Sequence, residues 1–133
     1  MTKLKAILID DEKGSLESLS YELREYCPEV EVVASSQDPK EGLRLIQKWS
    51  PDLLFLDIEM PGMNGFELLQ QLGDVSLHVI FVTAYDQFAI RAFDFNAIDY
   101  VLKPVRKTKL ISAVQKVVDR QQPKLDTSGL EAL

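Results

Sequence analysis

Five short apolar runs, each followed by a longer stretch with helical spacing, constrain this chain more than any other feature. The runs are Ala6-Ile7-Leu8-Ile9, Glu31-Val32-Val33-Ala34-Ser35, Leu53-Leu54-Phe55-Leu56, His78-Val79-Ile80-Phe81-Val82 and Tyr100-Val101-Leu102. Three of the five are apolar throughout. A strand with one wet face alternates polar and apolar residues, whereas a strand covered on both faces does not, so the runs point to a parallel sheet packed on two sides.

The intervening segments predict helices. Leu16, Leu19, Leu23 and Tyr26 form one apolar stripe, ended by Pro28, and Leu110, Val114, Val117 and Val118 form another near the end of the chain. Asp38-Pro39 reads as a cap with proline at the first helical position, opening a helix through about Lys48. Asn64 can cap a helix from about Gly65 to Leu72, and Asp86 one reaching about Phe95. The order is thus β-α five times over. The expected architecture is an α/β flavodoxin-like, doubly wound (βα)5 fold with a five-stranded parallel sheet in the order 2-1-3-4-5. Residues 1–120 are read as one domain, and residues 121–133, which lose the periodicity, as a tail or the start of a linker to an absent output domain.

Charge and composition exclude several functions. The 133 residues carry 15 Lys and Arg against 21 Asp and Glu. An acidic chain does not read as a nucleic-acid binder, since duplex binding rests on neutralising phosphates. No apolar run approaches the roughly 18–20 residues that span a bilayer. The single Cys27 and single His78 exclude a zinc cluster, and the lone cysteine fits a reducing, cytoplasmic setting. Charge is also uneven: residues 100–120 hold six basic side chains and one acidic one. That stretch is either a solvated last helix or half of a self-association face.

In an open α/β sheet, ligands bind beyond the C-terminal ends of the strands, so the residues just after each run matter most. They are Asp10 and Asp11, Asp57, Thr83 and Lys103. With the expected strand order these three carboxylates, one hydroxyl and one ammonium converge. Like charges about 4 Å apart repel by about 4 kcal/mol at an effective dielectric of 20. Lys103 offsets part of this, and a hard divalent cation would offset the rest. Few carboxylates, open positions and a nearby phosphoryl oxygen are the pattern of Mg²⁺. A carboxylate can attack phosphorus, and Asp57, on the middle of these strands, is the residue placed to do so, with Thr83 and Lys103 contacting phosphoryl oxygens.

Each residue has a plainer reading. Asp10 or Asp11 could cap the first helix, and Asp57 could be a turn residue before Pro61-Gly62. Thr83 could be an ordinary strand-end hydroxyl and Lys103 a solvated lysine. Tyr100 could be a half-buried sheet aromatic with a wet hydroxyl, or a ring that turns inward when Thr83 moves. His78 reads as a surface or capping residue, and Cys27 and Trp49 as helix-end packing residues. A cis Lys103-Pro104 bond would hold the lysine inward, but sequence spacing leaves its isomer open.

Taken together, Ile9-Asp10-Asp11-Glu12, the run from Leu56-Asp57-Ile58-Glu59-Met60-Pro61-Gly62 to Gly65, Val82-Thr83-Ala84 and Tyr100-Val101-Leu102-Lys103-Pro104 closely resemble the receiver domain of bacterial two-component response regulators. The resemblance covers roughly residues 4–120. The segment from Ala84 to Val105 resembles receivers attached to LytTR-type DNA-binding domains. The resemblance implies that Asp57 accepts a phosphoryl group from a sensor histidine kinase, and that the module is a phosphoacceptor rather than an enzyme. It implies Mg²⁺ held by Asp11, Asp57 and the backbone carbonyl of Glu59, with Asp10 reaching it through water. It further implies Thr83 and Tyr100 as switch residues, a cis Lys103-Pro104 bond, and a homodimer formed on phosphorylation through the helix 4, strand 5 and helix 5 face. Arg106, Lys107 and Lys109 lie beside that face, with Asp94 and Asp99 able to oppose them. DNA would be reached only through an output domain absent from this chain.

Three alternatives are weighed against this. A haloacid-dehalogenase-type phosphatase needs an Asp-x-Asp motif after its first strand. A flavodoxin needs donors, not Asp10-Asp11-Glu12, in its first loop. A degenerate receiver would bind partners without being phosphorylated.

Overall fold

The computed structural model describes residues 3–121. Five strands and five helices alternate: β1 (Leu4–Ile9), α1 (Lys13–Tyr26), β2 (Val30–Ser36), α2 (Pro39–Trp49), β3 (Leu53–Leu56), α3 (Gly65–Leu72), β4 (His78–Thr83), α4 (Ala89–Asp94), β5 (Asp99–Leu102) and α5 (Lys107–Gln121). The strands pair in parallel in the order β2-β1-β3-β4-β5, which is the expected fold.

Alternation along the strands splits the core into two layers. Leu8 of β1, Phe55 of β3 and Val82 of β4 face α1 and α5, where they meet Leu16, Leu19, Leu23, Leu110, Val114 and Val117. Ile7, Ile9, Leu54, Leu56 and Phe81 face the other way, toward Ile46, Phe66, Leu68 and Ala92. Burying both faces of β1, β3 and β4 explains why their sequences carry no polar alternation.

Helix starts follow local chemistry. The Asp38 side chain accepts a hydrogen bond from Lys40 N with Pro39 at the first helical position. Asn64 and Glu67 form a reciprocal capping box, each side chain accepting from the other's backbone N–H at 2.9 Å. Gly65 then lets α3 approach the β3 end closely, because a Cβ there would lie 2.6 Å from the Asp57 carbonyl oxygen.

Three sequence expectations need correction, and one plainer alternative falls away. Asp86 does not cap α4: the helix starts at Ala89, with Phe88 before it making no side-chain cap, and spans only six residues. Asp86 instead sits in a turn, its carbonyl accepting from Ala89 N at 3.3 Å. Neither Asp10 nor Asp11 caps α1, whose N-cap residue is Glu12. Tyr26 leaves the buried stripe at the end of α1 and lies exposed under the Lys107 ammonium, 4.8 Å from its ring centroid. Trp49 is likewise exposed rather than packed, with Lys48 above its ring, whereas Cys27 is fully buried. Burial, with the charges of Glu29 and Glu22, pushes the Cys27 thiol up to about 11. The segment 122–133 lies outside the described residues. Among the described residues, no helix is long and apolar enough to cross a membrane.

Candidate functional site

The C-terminal ends of β1, β3, β4 and β5 lie side by side, so residues far apart in sequence meet at one edge. Asp57 N donates to Ile9 O at 3.0 Å, which locks the β3 end to the β1 end. Lys103 N donates to Thr83 O at 2.8 Å and does the same for β5 and β4. The Lys103–Pro104 peptide is cis.

Carboxylate oxygens of Asp10, Asp11 and Asp57 all lie within 4.8 Å of one another. One ammonium faces them: Lys103 Nζ stands 2.8 Å from Asp10 Oδ2 and 3.2 Å from Asp57 Oδ2. The second oxygens are also engaged. Asp10 Oδ1 accepts from Glu12 N at 2.9 Å, and Asp57 Oδ1 accepts from Ile58 N at 2.7 Å. Asp10 and Asp57 are buried, and Asp11 is half-buried. Negative charge is therefore in surplus in a largely buried cluster. Burial pushes the Asp10 carboxyl above its ordinary range; the hydrogen bonds from Lys103 and Glu12 N work against this, and the Asp57 charge adds to it. For Lys103, burial works against the charge, but the hydrogen bond to Asp10 and the charges of Asp57 and Asp10 outweigh it and hold the ammonium above its ordinary range. An all-oxygen donor set with one cation too few fits a hard divalent metal ion.

Thr83 is fully buried at the end of β4, its Oγ1 accepting from Tyr85 N at 3.4 Å. Tyr100 is half-buried, and its hydroxyl donates to the Tyr85 carbonyl. Its ring lies 6.3 Å from that of Phe81, at the edge of an aromatic cluster with Phe66, Phe88 and Phe95. The Glu59 side chain is exposed. A cavity of about 410 Å³ opens on this edge between Asp10, Asp57, Lys103 and Pro104.

Sequence reasoning did not foresee three neighbouring contacts. Glu12 Oε1 lies 3.5 Å from Lys103 Nζ, a fourth carboxylate competing for the same cation. Its position directly after the acid pair was the available signal. Gln37 Nε2 donates to the Asp11 carbonyl at 3.1 Å and ties the β2–α2 loop to the acid loop. The Tyr85 carbonyl receives the Tyr100 hydroxyl. The first of these last two joins two loops and the second joins β5 to the loop after β4, and no sequence pattern reveals either.

The family model described as the response regulator receiver domain matches residues 6–115. An uncharacterised response regulatory protein of Vibrio cholerae is 45% identical over 128 residues, covering 96% of this chain and 53% of that protein. The sensory transduction protein LytT of Bacillus cereus is 33% identical over 126 residues, covering 93% of this chain and 51% of LytT. The chain thus spans about half the length of the curated relatives it matches. Among solved structures, the response regulatory domain of protein mrkE from Klebsiella pneumoniae superposes with a TM-score of 0.81 at 31% identity, over 90% of this chain and all of that one. With the parallel five-stranded sheet and the acid cluster at its carboxyl edge, these matches establish that the chain belongs to the response regulator receiver domain family.

Proposed function

We propose that Asp57 is the phosphoacceptor of a receiver unit spanning residues 1–120. The observation that carries this reading is the pairing of a buried Asp57 carboxylate, 5% exposed, with Lys103 Nζ at 3.2 Å inside a cluster that retains excess negative charge. An Asp57 carboxylate oxygen attacks the phosphorus of a phosphohistidine on a sensor histidine kinase. The P–N bond breaks, the histidine leaves, and an acyl phosphate remains on Asp57. Asp10, Asp11 and Asp57, with the Glu59 carbonyl, would hold Mg²⁺, Asp10 through water, and the ion supplies positive charge where the transferring oxygens gather it. Lys103 exchanges its bond to Asp57 for one to a phosphoryl oxygen, and the Thr83 hydroxyl donates to another.

Phosphorylation adds about two negative charges, by analogy with phosphorylated hydroxyl residues. Drawing Thr83 toward them disturbs the Tyr85 turn, whose carbonyl holds the Tyr100 hydroxyl. The α4-β5-α5 face is the surface this biases. It exposes Ile90 (82%), Phe93 (65%), Leu102 and Ile111, an apolar set suited to a second copy of the chain. Asp99 does not oppose a partner's lysines there, because its own Lys109 and Lys116 hold it at 3.0 and 2.9 Å. The likeness to LytT supports a LytTR-type output and transcription regulation through a domain beyond residue 120.

Incubation with acetyl phosphate and Mg²⁺ tests the acceptor. A phosphoryl mass increment should appear and be absent from Asp57→Asn. No increment overturns the assignment and leaves the partner-binding, degenerate receiver; an increment retained in that variant overturns it by placing the acceptor on another residue. Sedimentation with a phosphoryl mimic tests the dimer, and an unchanged mass counts against it.

A further inference from the structure

At the edge of the sheet opposite the acid cluster, another cavity of about 370 Å³ opens between the C-terminal ends of α2 and α3. Its apolar walls are Ile46, Pro51, Leu72, Val75 and Leu77, and only uncharged polar side chains complete them. Pro51 precedes β3 and Leu77 precedes β4, so the slot lies at strand N-terminal ends and shares no lining residue with the cavity at Asp57. Val75 is 48% exposed, and Leu72 and Leu77 are half-buried, so the slot presents apolar surface whose burial is favourable.

The end of α5 points to what covers it. Gln121 Nε2 donates to Asp52 Oδ1 at 3.4 Å, and Gln121 Oε1 lies 3.2 Å from His78 Nε2. Asp52 directly follows Pro51, and His78 directly follows Leu77. The chain therefore leaves Gln121 beside the neighbours of two walls of the slot. Pro123 has no N–H to give a continuing helix. Leu125 comes four residues after Gln121, and at about 3.3–3.6 Å per residue an extended chain carries it about 13–14 Å.

We propose that the segment 122–133 of this chain turns back under the sheet and seats Leu125 in this slot. The walls carry no charge, which suits an aliphatic side chain rather than an ionic one. The tether favours this occupant over a free one, because a group held four residues from Gln121 is present at high effective concentration. A second copy of the chain would need about 800 Å² of each partner for a stable interface, far more than a slot of this volume offers. Docked this way, the segment fixes where the chain leaves the domain: at the strand N-terminal edge, away from Asp57. The inference stands apart from the phosphoacceptor assignment, since it needs neither phosphorylation of Asp57 nor a metal ion.

The test is NMR on the full chain with labelled leucine, isoleucine and valine methyls. Nuclear Overhauser contacts from the Leu125 methyls to those of Ile46, Leu72, Val75 or Leu77 are expected. Leu125→Ser, which lies outside residues 3–121, should abolish them and shift the backbone amides of Gln47, Val75 and Ser76 while leaving those around Asp57 in place. Val75→Ser, at an exposed wall, should weaken the remaining Leu125 contacts without unfolding the domain. No such contacts in the parent, Leu125 contacts to the α4-β5-α5 face instead, or slot amides indifferent to Leu125→Ser would each overturn the proposal. A mixture of differently labelled copies separates the occupants: contacts that cross between copies give the slot to a second molecule and overturn it as well. Asp57→Asn should keep the Leu125 contacts, so failure of the acceptor assignment leaves this result readable.

Discussion

Replacing Asp10 by asparagine should stabilise the protein at neutral pH. Asp10 faces two like charges within 4.8 Å and one ammonium at 2.8 Å. At an effective dielectric of 20, each repulsion at 4.8 Å is about 3.5 kcal/mol, about 7 together, against about 6 kcal/mol for the attraction at 2.8 Å. The balance already disfavours the charge by about 1 kcal/mol, and burial of the ion adds to the same side. Asparagine keeps the acceptor for Glu12 N, and Lys103 keeps Asp57. The expected gain is on the order of 1–2 kcal/mol, or roughly 3–8 °C in Tm for a domain of this size.

The pH dependence follows from the direction of the Asp10 shift. A carboxyl held above its unfolded value retains its proton more readily in the folded state, so stability falls as pH rises from the unfolded value through the folded one. Thermal melts of parent and Asp10→Asn in a chelator should therefore diverge near neutral pH and converge below about pH 4, the unfolded carboxylate range. Mg²⁺ should raise the parent's Tm more than the variant's, because the ion relieves the same repulsion. A variant that melts lower near pH 7, or that gains as much in acid, would refute this balance and show that the Lys103 pair dominates the cluster.

Asp99→Asn should act in the opposite sense. Burial favours the neutral acid there, but hydrogen bonds from Lys116, Tyr100 N and Lys109 outweigh it and hold the carboxyl below its ordinary range, so its contribution is full above the unfolded value and lost as pH falls through the folded one. Urea unfolding near neutral pH should show a loss of about 1–3 kcal/mol, toward the lower end because both lysines are half exposed, with the gap closing in acid; an equal gap in acid contradicts it. Gly65→Ala sets a Cβ 2.6 Å from the Asp57 carbonyl and should cost about 1–3 kcal/mol while slowing acetyl phosphate labelling, read by denaturation and intact mass; parent-like values in both would mean that α3 can shift freely. Asn64→Ala removes the α3 capping box and should cost about 1 kcal/mol in urea unfolding with labelling still present, a split that Gly65→Ala should not show.

What was legible in the sequence is what local chemistry decides. Leu53-Leu54-Phe55-Leu56 has no polar alternation because both of its faces are covered, and Asp38-Pro39 and Asn64 mark helix starts by donors satisfied within three residues. The convergence of Asp10, Asp11, Asp57 and Lys103 was also legible, since strand order alone brings four strand ends together. Asp86 misled because a cap needs the following turn to be helical. Tyr85 to Phe88 instead form the connection that carries the Tyr100 contact, and α4 begins only where Ala92 can reach the core. Gln37 on the Asp11 carbonyl spans 26 positions through two loops, and no periodicity encodes such a bond.

The acid cluster is where the chain's local rules conflict, and the conflict locates its function. The other buried aspartate among the described residues has its balance: Asp99 faces two lysines. At the strand ends three carboxylates share Lys103, with Glu12 adding a fourth claim on it. Such an arrangement folds only because the sheet holds it, with Ile7, Leu8, Ile9, Leu54, Phe55 and Leu56 fully buried just beneath. Each of these contributes about 1.5–3 kcal/mol, so the strands tolerate an edge that disfavours itself by a smaller amount. That residual cost is what a cation relieves. Asp10 and Asp57 both reach Lys103 at that edge, so a change of charge there is felt by the whole cluster.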